Sequence, residues 1–252
     1  MNISENDTIT TSDPSALQRD RHIWAFCCLF AFLVVLVAGF CWAAMLLCHR
    51  MSLEEAASKG DFEEVKWLIA HGAEVNGTAQ QDAPLLHAAS WGHREIVEYL
   101  VSHGADINSG RERGRSALIQ AIVNDHCDLA AWLIAHGAEV NIRDETNDTP
   151  LHYAAQYGNA DIVRYLISHG AAIDAQNAGG RTPLFVTIAF RAARNDPSVA
   201  KVLLEQGADP RIGTTNDCAF GDNVKTPLQL AKHLKLAELE QLLKDAEAKY
   251  SN

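Results

Sequence analysis

The chain has 252 residues, 48% of them hydrophobic and 21% charged, enough for one large folded domain or two small ones. Its net charge of −11 sets it against nucleic acid and anionic lipid as partners. Cys27, Cys28, Cys41 and Cys48 lie in one apolar stretch, which leaves Cys127 and Cys218; no CxxC spacing occurs, so neither a zinc knuckle nor a disulfide framework is indicated.

A polar tail, residues 1–22, comes first. From Ile23 to Cys48 there is no charged side chain. Those 26 residues would span about 39 Å as a helix, more than a hydrocarbon core of about 30 Å requires. Trp24 and Trp42 sit towards the two ends, where indole favours the membrane interface. A cleaved signal peptide has a shorter apolar core and a small-residue exit, which "GFCWAAML" does not supply. The segment therefore reads as one transmembrane helix over 23–48. Its orientation is undecided by flanking charge: Arg19 and Arg21 precede it, Arg50 and Lys59 follow. Unpaired Cys127 and Cys218 favour a cytosolic main domain. The acceptor sequences Asn76-Gly77-Thr78 and Asn147-Asp148-Thr149 would fall on tight turns, which also speaks against a secretory lumen. A bacterial periplasm stays open.

His-Gly-Ala then recurs at His71, His103, His136 and His169, with Gln206-Gly-Ala as a fifth copy; the spacings are 32, 33, 33 and 37 residues. A fixed period near 33 marks stacked supersecondary units. In the copy Thr149–Asp174, Thr149 is placed to cap a first helix, Pro150 takes its first turn, and Ala154 and Ala155 allow close helix approach. Gly158 turns the chain. Ile162, Val163, Leu166 and Ile167 give the second helix an apolar face, which Gly170 ends with positive φ. Two insertions interrupt the array, about four residues around Arg191–Ser198 and about seven within Gly213–Val224. Asp196-Pro197 restarts a helix after the first. Ser52 with Glu55 is expected to form a capping box at the start of the array.

Eleven histidines invite a metal hypothesis. Units in such a stack lie about 10 Å apart, whereas zinc needs ligands at about 2.0–2.1 Å, so one ion cannot bridge successive His-Gly-Ala copies. His87, His93 and His126 have no nucleophile arranged around them, and "NAGGRT" reads as a hairpin, not a phosphate loop. No catalytic, cofactor-binding or metal residue emerges.

Thr149-Pro150-Leu151-His152 followed by Ala154-Ala155, with the weaker copies Gly180–Phe185 and Lys225–Ala231, resembles the ankyrin repeat. The resemblance runs from about Leu53 to Leu243. It implies an all-α solenoid of about six repeats over 52–243, preceded by the transmembrane helix and followed by a charged tail, 244–252. His152 is then a structural hydrogen-bonder at a helix start. The implied function is protein binding through the concave face and hairpin tips: a membrane-anchored adaptor whose partner is another, membrane-associated protein. A blocking inhibitor of a partner enzyme and an accessory subunit of a transport complex are the alternatives. On the first helices the positions after the Ala-Ala pairs are Ser90 and Trp91, Val123 and Asn124, Gln156 and Tyr157, and Ala189 and Phe190. Trp91, Tyr157 and Phe190 would line up as binding aromatics, with Asn124 and Gln156 beside them; the same rings would also serve to cover a neighbouring unit. The tips add Arg111, Glu112, Arg113 and Arg115, then Arg143 and Glu145.

Overall fold

A computed structural model of the chain describes residues 51–77, 83–110, 114–157, 159–191, 196–214 and 224–250. The chain divides into two units, Met1–Arg50 and Met51–Asn252, and all described residues belong to the second. The apolar segment 23–48 and the tail 1–22 lie outside them, as do Arg111, Glu112 and Arg113, Gly158, Cys218 and most of both insertions. Among the described residues no helix is long and apolar enough to cross a membrane.

Twelve helices are described: α1 Leu53–Lys59, α2 Phe62–Ala70, α3 Pro84–Ser90, α4 Arg94–Ser102, α5 Ala117–Val123, α6 Cys127–Ala135, α7 Pro150–Tyr157, α8 Ala160–Ser168, α9 Pro183–Arg191, α10 Ser198–Glu205, α11 Pro227–His233 and α12 Ala237–Tyr250. They form six pairs. The first helices α1, α3, α5, α7, α9 and α11 pack in a continuous row. Ala56, Ala57, Ala88, Ala89, Ala121, Ala154, Ala155 and Ala231 have no exposed surface, since only a methyl group fits where these helices meet. From the second helices Val65, Val97, Val163, Leu100, Leu133, Leu166 and Leu203 close the same core.

Local signals set the helix ends. Proline opens α3, α7, α9 and α11, where its missing N–H is no loss. Gly170 sits after α8 at φ +88 and Asp125 takes the corresponding left-handed conformation between α5 and α6 at φ +61; a short polar side chain tolerates that region better than most. The start of α1 differs from expectation. Ser52 Oγ accepts from the Glu55 N–H at 3.2 Å, but the Glu55 carboxylate is drawn to Lys59 Nζ at 2.6 Å and does not return to the cap. A complete capping box forms instead at α11, between Thr226 and Gln229. Restart of the chain at Asp196-Pro197 is visible: the Asp196 carboxylate accepts from the Ser198 N–H at 3.0 Å, ahead of α10.

Neighbouring repeats are tied by an asparagine ladder that sequence reasoning missed. Asn76 accepts from the Asp106 N–H and donates to the Gly104 carbonyl. Asn108 does the same with Glu139 and Gly137, and Asn141 with Ala172 and Gly170. Asn76 of the first acceptor sequence is thus occupied inside the stack. The visible signal was an Asn five residues after each of three His-Gly-Ala histidines.

Candidate functional site

Three large rings stand in solvent along the row of first helices. Trp91, directly after α3, is 63% exposed; Tyr157, closing α7, is 47% exposed; Phe190, near the end of α9, is 52% exposed. Helical rotation of about 100° per residue explains their position. The Ala-Ala pair faces the neighbouring helix, so residues two and three places on have turned away from it. In the intervening repeat the position falls to Asn124, whose Nδ2 donates to Gln120 O at 2.9 Å and to Ser90 Oγ at 3.2 Å. Gln156, Ser90, Val123 and Ala189 are half-buried beside the rings. Trp91, Asn124, Gln156, Tyr157 and Phe190 therefore share one side of the stack.

The described tip residues are built differently from a solvated basic cluster. Arg115 is half-buried, with its guanidinium 5.2 Å from the centroid of the Tyr153 ring. Its buried Nε has no hydrogen-bond partner among the described residues. Tyr153 in turn donates to Asp144 Oδ2 at 2.6 Å. Burial pushes the Tyr153 phenol up to about 12, and its bond to the Asp144 carboxylate pushes the same way. Burial also raises the Asp144 carboxyl, but the hydrogen bonds it accepts from Tyr153, Thr146 and Asp148 outweigh this and hold it below the usual carboxylate range. Arg143 donates to the carbonyls of Gln176 at 2.9 Å and Asn147 at 3.3 Å, joining two hairpins. Glu145 is exposed. Arg115 and Arg143 thus both hold the stack together, because the next repeat presents them a ring face and a carbonyl.

Seven of the described histidines divide into three structural roles. Those of His-Gly-Ala stack on the aromatic residue four places before: ring centroids lie 3.8 Å apart for Trp67–His71, 4.0 Å for Tyr99–His103, 3.9 Å for Trp132–His136 and 4.2 Å for Tyr165–His169. Each Nδ1–H donates to the carbonyl of that same aromatic residue, which also accepts the histidine's own backbone N–H at the helix end. His93 and His126 reach back one repeat and donate from Nε2 to Ser58 O and Ser90 O, each at 3.1 Å. His152 accepts at Nδ1 from Thr149, both N–H (3.1 Å) and Oγ1–H (2.9 Å), and donates from Nε2 to Arg181 O at 2.9 Å. His152 is thus a hydrogen-bonder at the helix start, as the resemblance implies, and Thr149 is bound to its imidazole. The five-residue pattern aromatic-x-x-x-His, present four times, was the sequence signal for the first role.

Among the described residues no group of three His, Cys, Asp or Glu side chains is placed to hold a metal ion. Cys127 borders a cleft of about 410 Å³ with Gly92, Arg94, Asp125, His126, Asp128 and Leu129. Burial and the Asp125 carboxylate push its thiol up to about 11, against the opposing bond from Asn159, so the nucleophilic thiolate is disfavoured.

A family model for ankyrin repeats (three copies) matches residues 53–144 and 118–214, together more than half of the chain. Among curated proteins none matches. Ankyrin repeats generally serve as protein–protein interaction modules and not as enzymes. The paired helices, the Thr149–His152–Arg181 bridge and the matched segments agree: the chain belongs to the ankyrin-repeat family.

Proposed function

We propose that the chain is a membrane-anchored adaptor that binds a partner protein along the exposed side of its first helices. The observation that carries the reading is the row Trp91, Tyr157 and Phe190, three large rings 47–63% exposed on one side of an otherwise well-packed stack. Trp and Tyr are among the residue types most enriched at binding hot spots. The anchor rests on Ile23–Cys48, long enough to span a bilayer and without a charged side chain. Only four residues separate Cys48 from Leu53, so the partner is a protein held at or in the same membrane. Cys127, a free thiol, suits a cytosolic location for the stack.

Two measurements test this reading. The full chain should stay in the membrane fraction through alkaline carbonate and high salt. Its native partner, recovered by affinity capture from solubilised membranes, should bind Trp91→Ala plus Tyr157→Ala at least about thirtyfold more weakly, as loss of one 2 kcal/mol hot spot already demands. Full-length chain released by carbonate removes the anchor. Undiminished capture by the double variant removes the aromatic face.

A further inference from the structure

We infer that the segment docking on this face is cationic: it carries lysine or arginine side chains that meet the exposed rings and the carboxylates beside them. This rests on the interaction reading above and specifies the partner's chemistry.

The charge beside Trp91, Asn124 and Tyr157 is one-sided. Trp91 is followed four residues on by Glu95, Asn124 by Asp128, and Tyr157 by Asp161, each an exposed acid in the first turn of the second helix of its repeat. Asp125 adds a further exposed carboxylate in the turn after Asn124. Ser90, Trp91, Val123, Asn124, Gln156, Tyr157, Ala189 and Phe190 include no lysine or arginine. On the second helices beside Trp91 and Tyr157 the cations are engaged within their own helices, Arg94 with Glu98 at 2.7 Å and Arg164 with Asp161 at 3.2 Å, while Arg191 and Arg194 follow Phe190 in sequence. A first-turn acid complements the helix dipole wherever it occurs. That accounts for each carboxylate singly, but not for its recurrence beside a ring left in solvent.

Ring faces and carboxylates share one complementary chemistry. A guanidinium or ammonium is attracted to the face of an indole, phenol or phenyl ring and to a carboxylate alike. The protein uses this pairing within its own fold, placing Lys66 over Phe62 at 4.7 Å, Arg115 over Tyr153 at 5.2 Å and Arg211 over Tyr250 at 5.1 Å. Acidic segments are repelled, as are the phosphates of nucleic acids and lipids, by a chain of net charge −11. Spacing sets the pattern. First helices one repeat apart are separated by about 10 Å, which an extended segment covers in about three residues. Trp91 and Tyr157, two repeats apart, are then matched by cations about six residues apart in an extended partner strand.

The test uses the full chain in its native cell with a benzophenone amino acid encoded in turn at positions 91, 157 and 190, and at 143 and 145 for comparison. After irradiation the cross-linked partner peptide is sequenced. Adducts from the ring positions should map to one segment with several Lys or Arg residues. Glu95→Gln with Asp128→Asn should lower adduct yield about tenfold, and raising the salt should lower it further, with the melting temperature lowered by only a few degrees for the two lost dipole contacts. Adducts mapping to an uncharged or acidic segment, or to lipid, overturn the cationic inference while leaving the interaction face in place. Adducts confined to 143 and 145, or none at the three ring positions, overturn both.

Discussion

His126 stands over Gly92 so closely that a Cβ on the glycine would lie 2.6 Å from the imidazole, while its Nε2–H holds the Ser90 carbonyl of the preceding repeat at 3.1 Å. Gly60 and His93 repeat the relationship, also at 2.6 Å. At the next turn both partners differ. Asp125 occupies the glycine position at φ +61, and the residue above it is Asn159, whose Nδ2 donates to Asp125 Oδ1 at 3.1 Å. The shorter amide leaves room for the Cβ that an imidazole denies. Gly92→Asp alone should therefore destabilise the repeat unit Met51–Asn252 by about 2–3 kcal/mol, through left-handed strain and displacement of His126. Adding His126→Asn should recover about 1 kcal/mol, a coupling read from a double-mutant cycle by urea unfolding. Strict additivity would show that the two sites are independent.

His152 makes the fold sensitive to acid. Burial pushes its imidazole below the ordinary value, against the opposing pull of the Arg181 carbonyl and Asp148. A proton on Nδ1 would also face the Thr149 N–H, donor against donor. Because the folded value lies below the unfolded one, the full stability is present above about pH 6.5 and is lost as pH falls below it, when the unfolded chain takes the proton first. The sixth repeat shows the remedy. Gln229 holds the equivalent place, and its Oε1 accepts from Lys225 N–H at 2.8 Å and Thr226 N–H at 3.1 Å. His152→Gln should cost about 1–2 kcal/mol at pH 7.5, for the lost bridge to Arg181. It should also flatten the decline between about pH 6.5 and 5, as followed by chemical unfolding across that range.

The repeat was legible because it is written in residues whose function is local: Pro150 at a first turn, Ala154 and Ala155 at a close contact, Gly170 at a helix end. Exposure of Trp91, Tyr157 and Phe190 followed from the same counting, since rotation about a helix is set by sequence distance. Contacts across repeats were not legible in that way. Arg115 stands in a run of charges, and only the placement of Tyr153, 38 residues on, turns it from a tip residue into a packed one. His93 and His126 looked idle because their acceptors lie 35 and 36 residues back. Glu55 failed as a capping residue because Lys59, one turn along, competes for its carboxylate.

The asparagine ladder ends on an acid, and the chain compensates. Asp174 stands where Asn76, Asn108 and Asn141 stand in earlier repeats; its carboxylate accepts from the Asp209 N–H at 3.1 Å but, ionised, has no proton for the Gly207 carbonyl. That carbonyl receives the Tyr250 hydroxyl at 2.9 Å, delivered by the last turn of α12. Tyr250→Phe should cost about 1 kcal/mol in the native background. In an Asp174→Asn background the new amide should donate to Gly207 instead, and Tyr250→Phe should cost less than half as much. An equal cost in both backgrounds would mean that the Tyr250 hydroxyl acts independently of residue 174, through its second acceptor, the Ala208 carbonyl at 3.4 Å.

Rings that serve a partner should be separable from rings that serve the core. Leu166 has no exposed surface, and its loss opens a cavity between α7, α8 and their neighbours. Leu166→Ala should cost about 2–5 kcal/mol, lowering the melting temperature of Met51–Asn252 by about 4–20 °C. Trp91, 63% exposed, makes little of the core, and Trp91→Ala should stay within about 0.5 kcal/mol of the parent. Tyr157 keeps about half of its surface in contact with the fold, so Tyr157→Ala should fall between, at about 1 kcal/mol. The order Leu166, Tyr157, Trp91 in thermal unfolding is thus fixed by burial alone. If Trp91→Ala melts as early as Leu166→Ala, the indole is a packing group that covers the neighbouring repeat, and the exposed row loses its most exposed member as a binding surface. If the order holds, the weakened partner capture expected of the same variants reports on the interface and not on a damaged stack.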